Sequence, residues 1–93
     1  MITKHLTIHG KVQGVGFRAW ACTLAERLGL MGWVRNREDG TVEVLVHGKI
    51  KNVETFVKAC YDGPKTANVV KIQAEELLKY DGPDSEFQHR ETV

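Results

Sequence analysis

A chain of 93 residues has room for one domain with a modest core, and needs neither metal nor disulfide to hold it. Its composition, 42% hydrophobic and 27% charged, is ordinary for a globular protein, and a net charge of +1 argues against a dedicated nucleic-acid binder, which carries a basic stripe. No apolar run approaches a membrane span, and Met1-Ile2-Thr3-Lys4-His5 lacks the apolar segment of a signal peptide, so a cytoplasmic setting with no membrane partner is expected. Cys22 and Cys60 do not make a disulfide framework, and two reduced thiols are expected. A helix start can mildly acidify Cys22, but no base is assignable to it.

Residues 4–9 alternate, with Leu6 and Ile8 on one face, and predict a first strand. The glycine-punctuated run Gly10-Lys11-Val12-Gln13-Gly14-Val15-Gly16-Phe17-Arg18 follows. Then Phe17, Trp20, Ala21, Leu24, Ala25 and Leu28 recur at helical spacing, and Gly29 is placed to stop that helix. Leu30 to Asn36 predicts a second strand and Thr41 to His47 a third, with Val42, Val44 and Val46 on one face. Between them Arg37-Glu38-Asp39-Gly40 is a hairpin turn. Asn52 is the expected N-cap of a second helix marked by Val53, Phe56, Val57 and Cys60, which Asp62-Gly63-Pro64 ends. Val69 to Glu75 predicts a fourth strand with Val70, Ile72 and Ala74 inward, and Phe87 to Arg90 can add a short last one.

Strand, helix, strand, strand, helix, strand is the split βαβ order. It predicts a ferredoxin-like α+β sandwich, βαββαβ, whose antiparallel sheet carries both helices on one face. The fold hosts enzymes and binding modules alike, so function must come from the site.

A strand, a glycine loop and a helix start together make an anion-binding geometry. Glycine lets backbone N–H groups converge, and the helix dipole favours negative charge there. Arg18 stands where loop meets helix, and its planar fork matches phosphate oxygens. The ferredoxin-like order brings this loop close to Asn36 at the end of the second strand. A carboxamide both accepts and donates, so it can aim a nucleophilic water, although asparagine also starts turns well.

Taken together, Val12-Gln13-Gly14-Val15-Gly16-Phe17-Arg18, Gly32-Trp33-Val34-Arg35-Asn36 and Asp39-Gly40-Thr41-Val42-Glu43 strongly resemble the acylphosphatase family. Gly63-Pro64, Ala67, Val69 and Phe87 fit as well, so the resemblance runs from about Lys4 to Phe87, while Gln88 to Val93 matches less clearly. It implies a single acylphosphatase-like domain over residues 1–93 that hydrolyses acyl phosphates to a carboxylate and inorganic phosphate, without metal or other cofactor. It further implies that Val12, Gln13, Gly14, Val15, Gly16 and Phe17 bind the phosphoryl oxygens through their backbone, that Arg18 pairs with the same oxygens, and that Asn36 holds the attacking water. A small-molecule acyl phosphate is the expected partner, and nothing demands more than a monomer.

Other readings fit less well. The loop has no Gly-Lys-Ser or Gly-Lys-Thr, and its glycines have the wrong spacing for a dinucleotide fingerprint. An RNA-binding module of this fold stacks bases on central-strand aromatics, and Thr41 to His47 holds none. His5, His9 and His47 share strand parity, but solvated imidazoles are preferred to a metal site. The serious alternative is a non-catalytic domain that holds a phosphate or carbamoyl-phosphate group for a larger assembly.

Overall fold

The computed structural model describes residues 1–93. Its elements in chain order are β1 (Ile2–Lys11), α1 (Phe17–Arg27), β2 (Met31–Asn36), β3 (Val42–Gly48), α2 (Ile50–Cys60), β4 (Asn68–Leu77) and β5 (Phe87–His89). The sheet order is β4-β1-β3-β2-β5. Both crossover helices therefore skip a strand, β3 lies between β1 and β2, and the expected ferredoxin-like topology is what the chain adopts. The first four strands pair antiparallel. The short last strand also forms, but pairs parallel to β2, so the sheet is mixed at that edge.

One face of the sheet carries the core. Leu6, Ile8, Val34, Val42, Val44 and Val46 are fully covered there by Phe17, Ala21 and Ala25 of α1 and by Val53, Phe56 and Cys60 of α2. The alternation that marked these strands and the helical stripe that marked α1 are thus two sides of one interface. Gly29 ends α1 as expected. With φ 66, it lets its own N–H reach the Glu26 carbonyl (3.1 Å) and the Leu30 N–H reach the Ala25 carbonyl (2.9 Å), a Schellman stop that returns Leu30 to the core.

Two local expectations are corrected. Asn52 does not cap α2: the cap position is Lys49, and the Asn52 carboxamide instead donates to the Leu28 carbonyl (3.1 Å), tying α2 to the end of α1. In β4, Val70 does not point inward and is 74% exposed. The register against β1 shifts between His9 and Gly10, where Gly10 pairs with Val69, and Val69 and Ile72 take the half-buried positions. A bulge of this kind flips the alternation beyond it, which a sequence pattern alone does not reveal.

The opposite face of the sheet is polar and aromatic. Glu43 is central and nearly buried, and it accepts from Arg35 Nε (2.7 Å), Arg37 Nη1 (3.0 Å) and His5 Nε2 (2.6 Å). The guanidiniums of Arg35 and Arg90 lie 4.5 and 5.2 Å from the ring centre of Trp33. The histidines that shared strand parity have separate partners: His5 meets Glu43, His9 meets Gln73, and His47 meets the Thr3 hydroxyl and stacks on Tyr80.

Burial pushes the Glu43 carboxyl up, but hydrogen bonds from Arg35, His5 and Arg37 outweigh it and hold it at about 2, below its ordinary 4.5. A depressed acid stabilises the fold above its unfolded pKa and loses that contribution as pH falls from about 4.5 toward about 2. Glu43→Gln is expected to lose on the order of 2 kcal/mol of unfolding free energy at neutral pH, and the gap to wild type should narrow below about pH 4. Urea denaturation of both proteins across that range measures it.

Candidate active site

The site begins with the way α1 starts. Phe17, the first helical residue, is 2% exposed and stacks edge-on against Trp20. Burying a ring of that size is worth about 2–3 kcal/mol, so the first turn is pinned to the core. Gly14 and Gly16 have φ of 73 and 78, and Gly16 is the N-cap in the left-handed region with no side-chain cap on the helix. The first intrahelical bond runs from the Trp20 N–H to the Gly16 carbonyl (3.0 Å). The N–H groups from Gln13 through Ala19 donate to nothing else in the chain. They form a run of free donors with the positive end of the helix dipole behind them.

A cavity of about 130 Å³ opens over these donors. Val12, Gly14, Gly16, Phe17 and Arg18 line it from the loop, and Asn36 from the end of β2. Arg18 and Asn36, far apart in sequence, thus face one small space. Ala19 and His89 complete its wall, and neither was singled out in the sequence.

Two of the loop residues expected at the phosphate turn their side chains elsewhere. The Gln13 carboxamide donates to the carbonyls of Arg37 (2.7 Å) and Thr41 (2.9 Å), which clamps the loop to the β2–β3 hairpin. Val15 packs against the core, and its carbonyl accepts from the Thr66 hydroxyl (3.1 Å). Their backbone N–H groups stay free, so any contact they make with an anion is through the main chain.

Asn36 is 8% exposed, yet its carboxamide is in no hydrogen bond within the chain. The turn beside it does not need it. Asp39 accepts from the Thr41 N–H (3.0 Å) and hydroxyl (2.6 Å), and Gly40 supplies the positive φ of 93. The Asn36 side chain is therefore spare for a ligand, while its carbonyl is held by the Val93 N–H (3.0 Å).

The C-terminal segment, which matched least clearly, contributes directly. Beyond β5 it continues beside β2, with the Arg90 N–H on the Val34 carbonyl (2.8 Å). The Arg90 carbonyl accepts from Arg18 Nη1 (3.0 Å), which fixes the fork of Arg18 and leaves its other donors available. A backbone contact of this kind has no residue signature, so sequence could not announce it. Cys22 corrects a smaller expectation: burial, with help from Glu26, pushes its thiol up, not down.

The acylphosphatase family model matches residues 4–89. The chain belongs to the acylphosphatase family. An acylphosphatase of Acidiphilium cryptum is 57% identical over 72 residues, 77% of this chain and 79% of that protein. One from an Acidovorax species is 45% identical over 92 residues, 99% of this chain and 93% of that one. The solved structure of an acylphosphatase from Coxiella burnetii superposes with a TM-score of 0.89 at 36% identity, covering 96% of this chain and 92% of that one.

Gly16→Ala tests the loop geometry. A Cβ there meets nothing within 4 Å, so its effect is purely that of forcing a side chain into the left-handed region. The expected loss is about 1 kcal/mol of stability, with weaker binding of inorganic phosphate, read by denaturation and calorimetry.

Proposed function

We propose that this chain, acting as a single domain and a monomer, hydrolyses the carboxyl–phosphate bond of a small-molecule acyl phosphate with three groups of this cavity. The free N–H groups of the loop from Val12 to Phe17 bind the phosphoryl oxygens. Arg18 pairs with the same oxygens through its fork. Asn36 holds the attacking water. The observation that carries the reading is that the unpartnered Asn36 carboxamide and the Arg18 guanidinium line one small cavity over a run of free donors.

The chemistry suits so small a set. Water forms a new P–O bond as the bond from phosphorus to the acyl oxygen breaks, and the bonding pair leaves with the carboxylate. The acid of that leaving group has a pKa of roughly 4, so it departs unprotonated and needs no general acid. The water's proton passes to a phosphoryl oxygen, whose second pKa is about 6. What remains for the protein is to offset charge and to orient, and the dipole, the amides and Arg18 do the first. The carboxamide oxygen of Asn36 does the second, accepting a hydrogen bond from one O–H of the water so that an oxygen lone pair faces phosphorus.

No carboxylate lines this cavity, so the residues suit a phosphoryl group neutralised by Arg18 and amides better than one carried by magnesium. The free thiols of Cys22 and Cys60 suit a reducing compartment, and the cytoplasm is the setting proposed. Hydrolysis is expected to survive excess chelator. Loss of turnover on chelation, with recovery on adding a divalent ion, would contradict the mechanism.

Single substitutions separate the roles. Arg18→Ala should weaken inhibition by phosphate and also slow turnover, and Arg18→Lys should stay badly impaired because a point charge replaces a fork. Asn36→Ala should lower kcat by about a hundredfold or more, on the order of 3 kcal/mol, with competitive inhibition by phosphate nearly unchanged. Steady-state kinetics with a generic acyl phosphate, beside a melting curve, checks both. Near-normal kcat in Asn36→Ala would remove Asn36 from the mechanism. No turnover by wild type would favour the phosphate-holding domain instead.

A further inference from the structure

His89 lies on β5, paired in parallel register with Val34 of β2. Val34 is fully buried beneath the helices, so the position of His89 is on the helix side of the sheet. Asn36 is two residues further along β2 on the same side. The residue after His89 faces the other way: the Arg90 guanidinium lies over Trp33, while its carbonyl holds Arg18. His89 is thus placed by a strand whose neighbours hold Arg18 and Asn36, and it lines the same cavity as both.

We propose that His89 is a third anion-contacting group of this site, and that its imidazole makes affinity for a dianionic phosphoryl group or phosphate product depend on pH. The proposal rests on the reading of this cavity as the phosphoryl site. Among the residues lining the cavity, His89 alone has a side chain type that changes charge between pH 5 and 8. Neutral imidazole can donate one N–H to a phosphoryl oxygen. Imidazolium donates a stronger, charge-assisted bond and adds a positive charge beside Arg18.

The surrounding charges leave that role to His89. The elements packed against β5 are α1 and β2, with Phe56 of α2 against Phe87. The ionisable side chains of α1 are Arg18, Cys22, Glu26 and Arg27, and of these only Arg18 lines the cavity. Arg35 of β2 is on the opposite face with Glu43 and Trp33. On α2, Lys51, Glu54, Lys58 and Cys60 all lie outside the cavity, as do Arg90 and Glu91 after β5. His89 is itself exposed, so solvent screens its charge and a moderate effect is expected.

Sulfate is the probe, because it stays a dianion across this range. Its binding is measured by calorimetry at about pH 5.5 and about pH 8, at fixed ionic strength, on wild type, His89→Gln and His89→Lys. Wild type should bind sulfate roughly five- to tenfold more tightly at the lower pH. His89→Gln should bind weakly with no such ratio, and His89→Lys should bind tightly at both values. A wild-type ratio retained in either variant overturns the assignment. Were binding then still abolished by Arg18→Ala, the phosphoryl site would stand and only His89 would fall. Absence of sulfate binding by wild type would overturn both.

Discussion

The structure depends on a helix start whose amide groups are left free. Unpaired N–H groups near a protein interior are costly, and a chain normally caps them with its own side chains. Here the cap position is a left-handed glycine with no side chain to offer, and the next residue is a phenylalanine sunk in the core. The first feature keeps the donors open and the second keeps them still. Folding stability for this arrangement comes from elsewhere, chiefly the valine-rich strands and the two helices laid over them. The core thus fixes in advance a set of dipoles that a flexible loop would have to order on each binding event.

The rest of the molecule works to aim those dipoles. Gln13 clamps the loop to the hairpin that begins just after Asn36, so loop and strand end are held at one spacing. Arg90 acts across the sheet: its guanidinium lies over Trp33 on one face while its carbonyl takes a donor of Arg18 on the other. The polar face, with Glu43 among Arg35, Arg37 and His5, is therefore more than a solvated back. It holds the hairpin and β2, which carry Asn36. Rigid strands and a clamped loop give a more exact placement than a mobile lid would.

Much of this was legible in the sequence because it is written in periodicity. The alternation around Leu6 and Ile8, the valines of β3 and the stripe from Phe17 to Leu28 each mark a face that must be covered, and the order of elements fixed the topology. The glycine loop, Arg18 and Asn36 were visible as residue types suited to one chemistry. What escaped depends on shape or on main-chain groups. The β4 bulge moved Val70 outward, and the one mark of it is Gly10 across the ladder, whose φ of 127 and close backbone neighbours admit no side chain, while Asn52 found the carbonyl of Leu28 at the end of α1, which only the packed helices bring near. The Arg90 carbonyl and the placement of His89 follow from a three-residue strand whose parallel pairing has no local signal.

The reaction class also limits what the site must supply. A phosphate ester would expel an alkoxide, and an enzyme for it needs an acid or a metal to stabilise that oxygen. A mixed anhydride expels a carboxylate, already as stable in water as the side chain of Asp or Glu. The remaining barrier is repulsion between the lone pair of the attacking water and the negative charge on the phosphoryl oxygens, together with the cost of alignment. In the mechanism proposed for this cavity, fixed amide dipoles and one guanidinium address the first, and one carboxamide addresses the second. Every group in that proposal is either backbone or lies on an element that the core already holds rigid, so the groups are aligned before a substrate arrives.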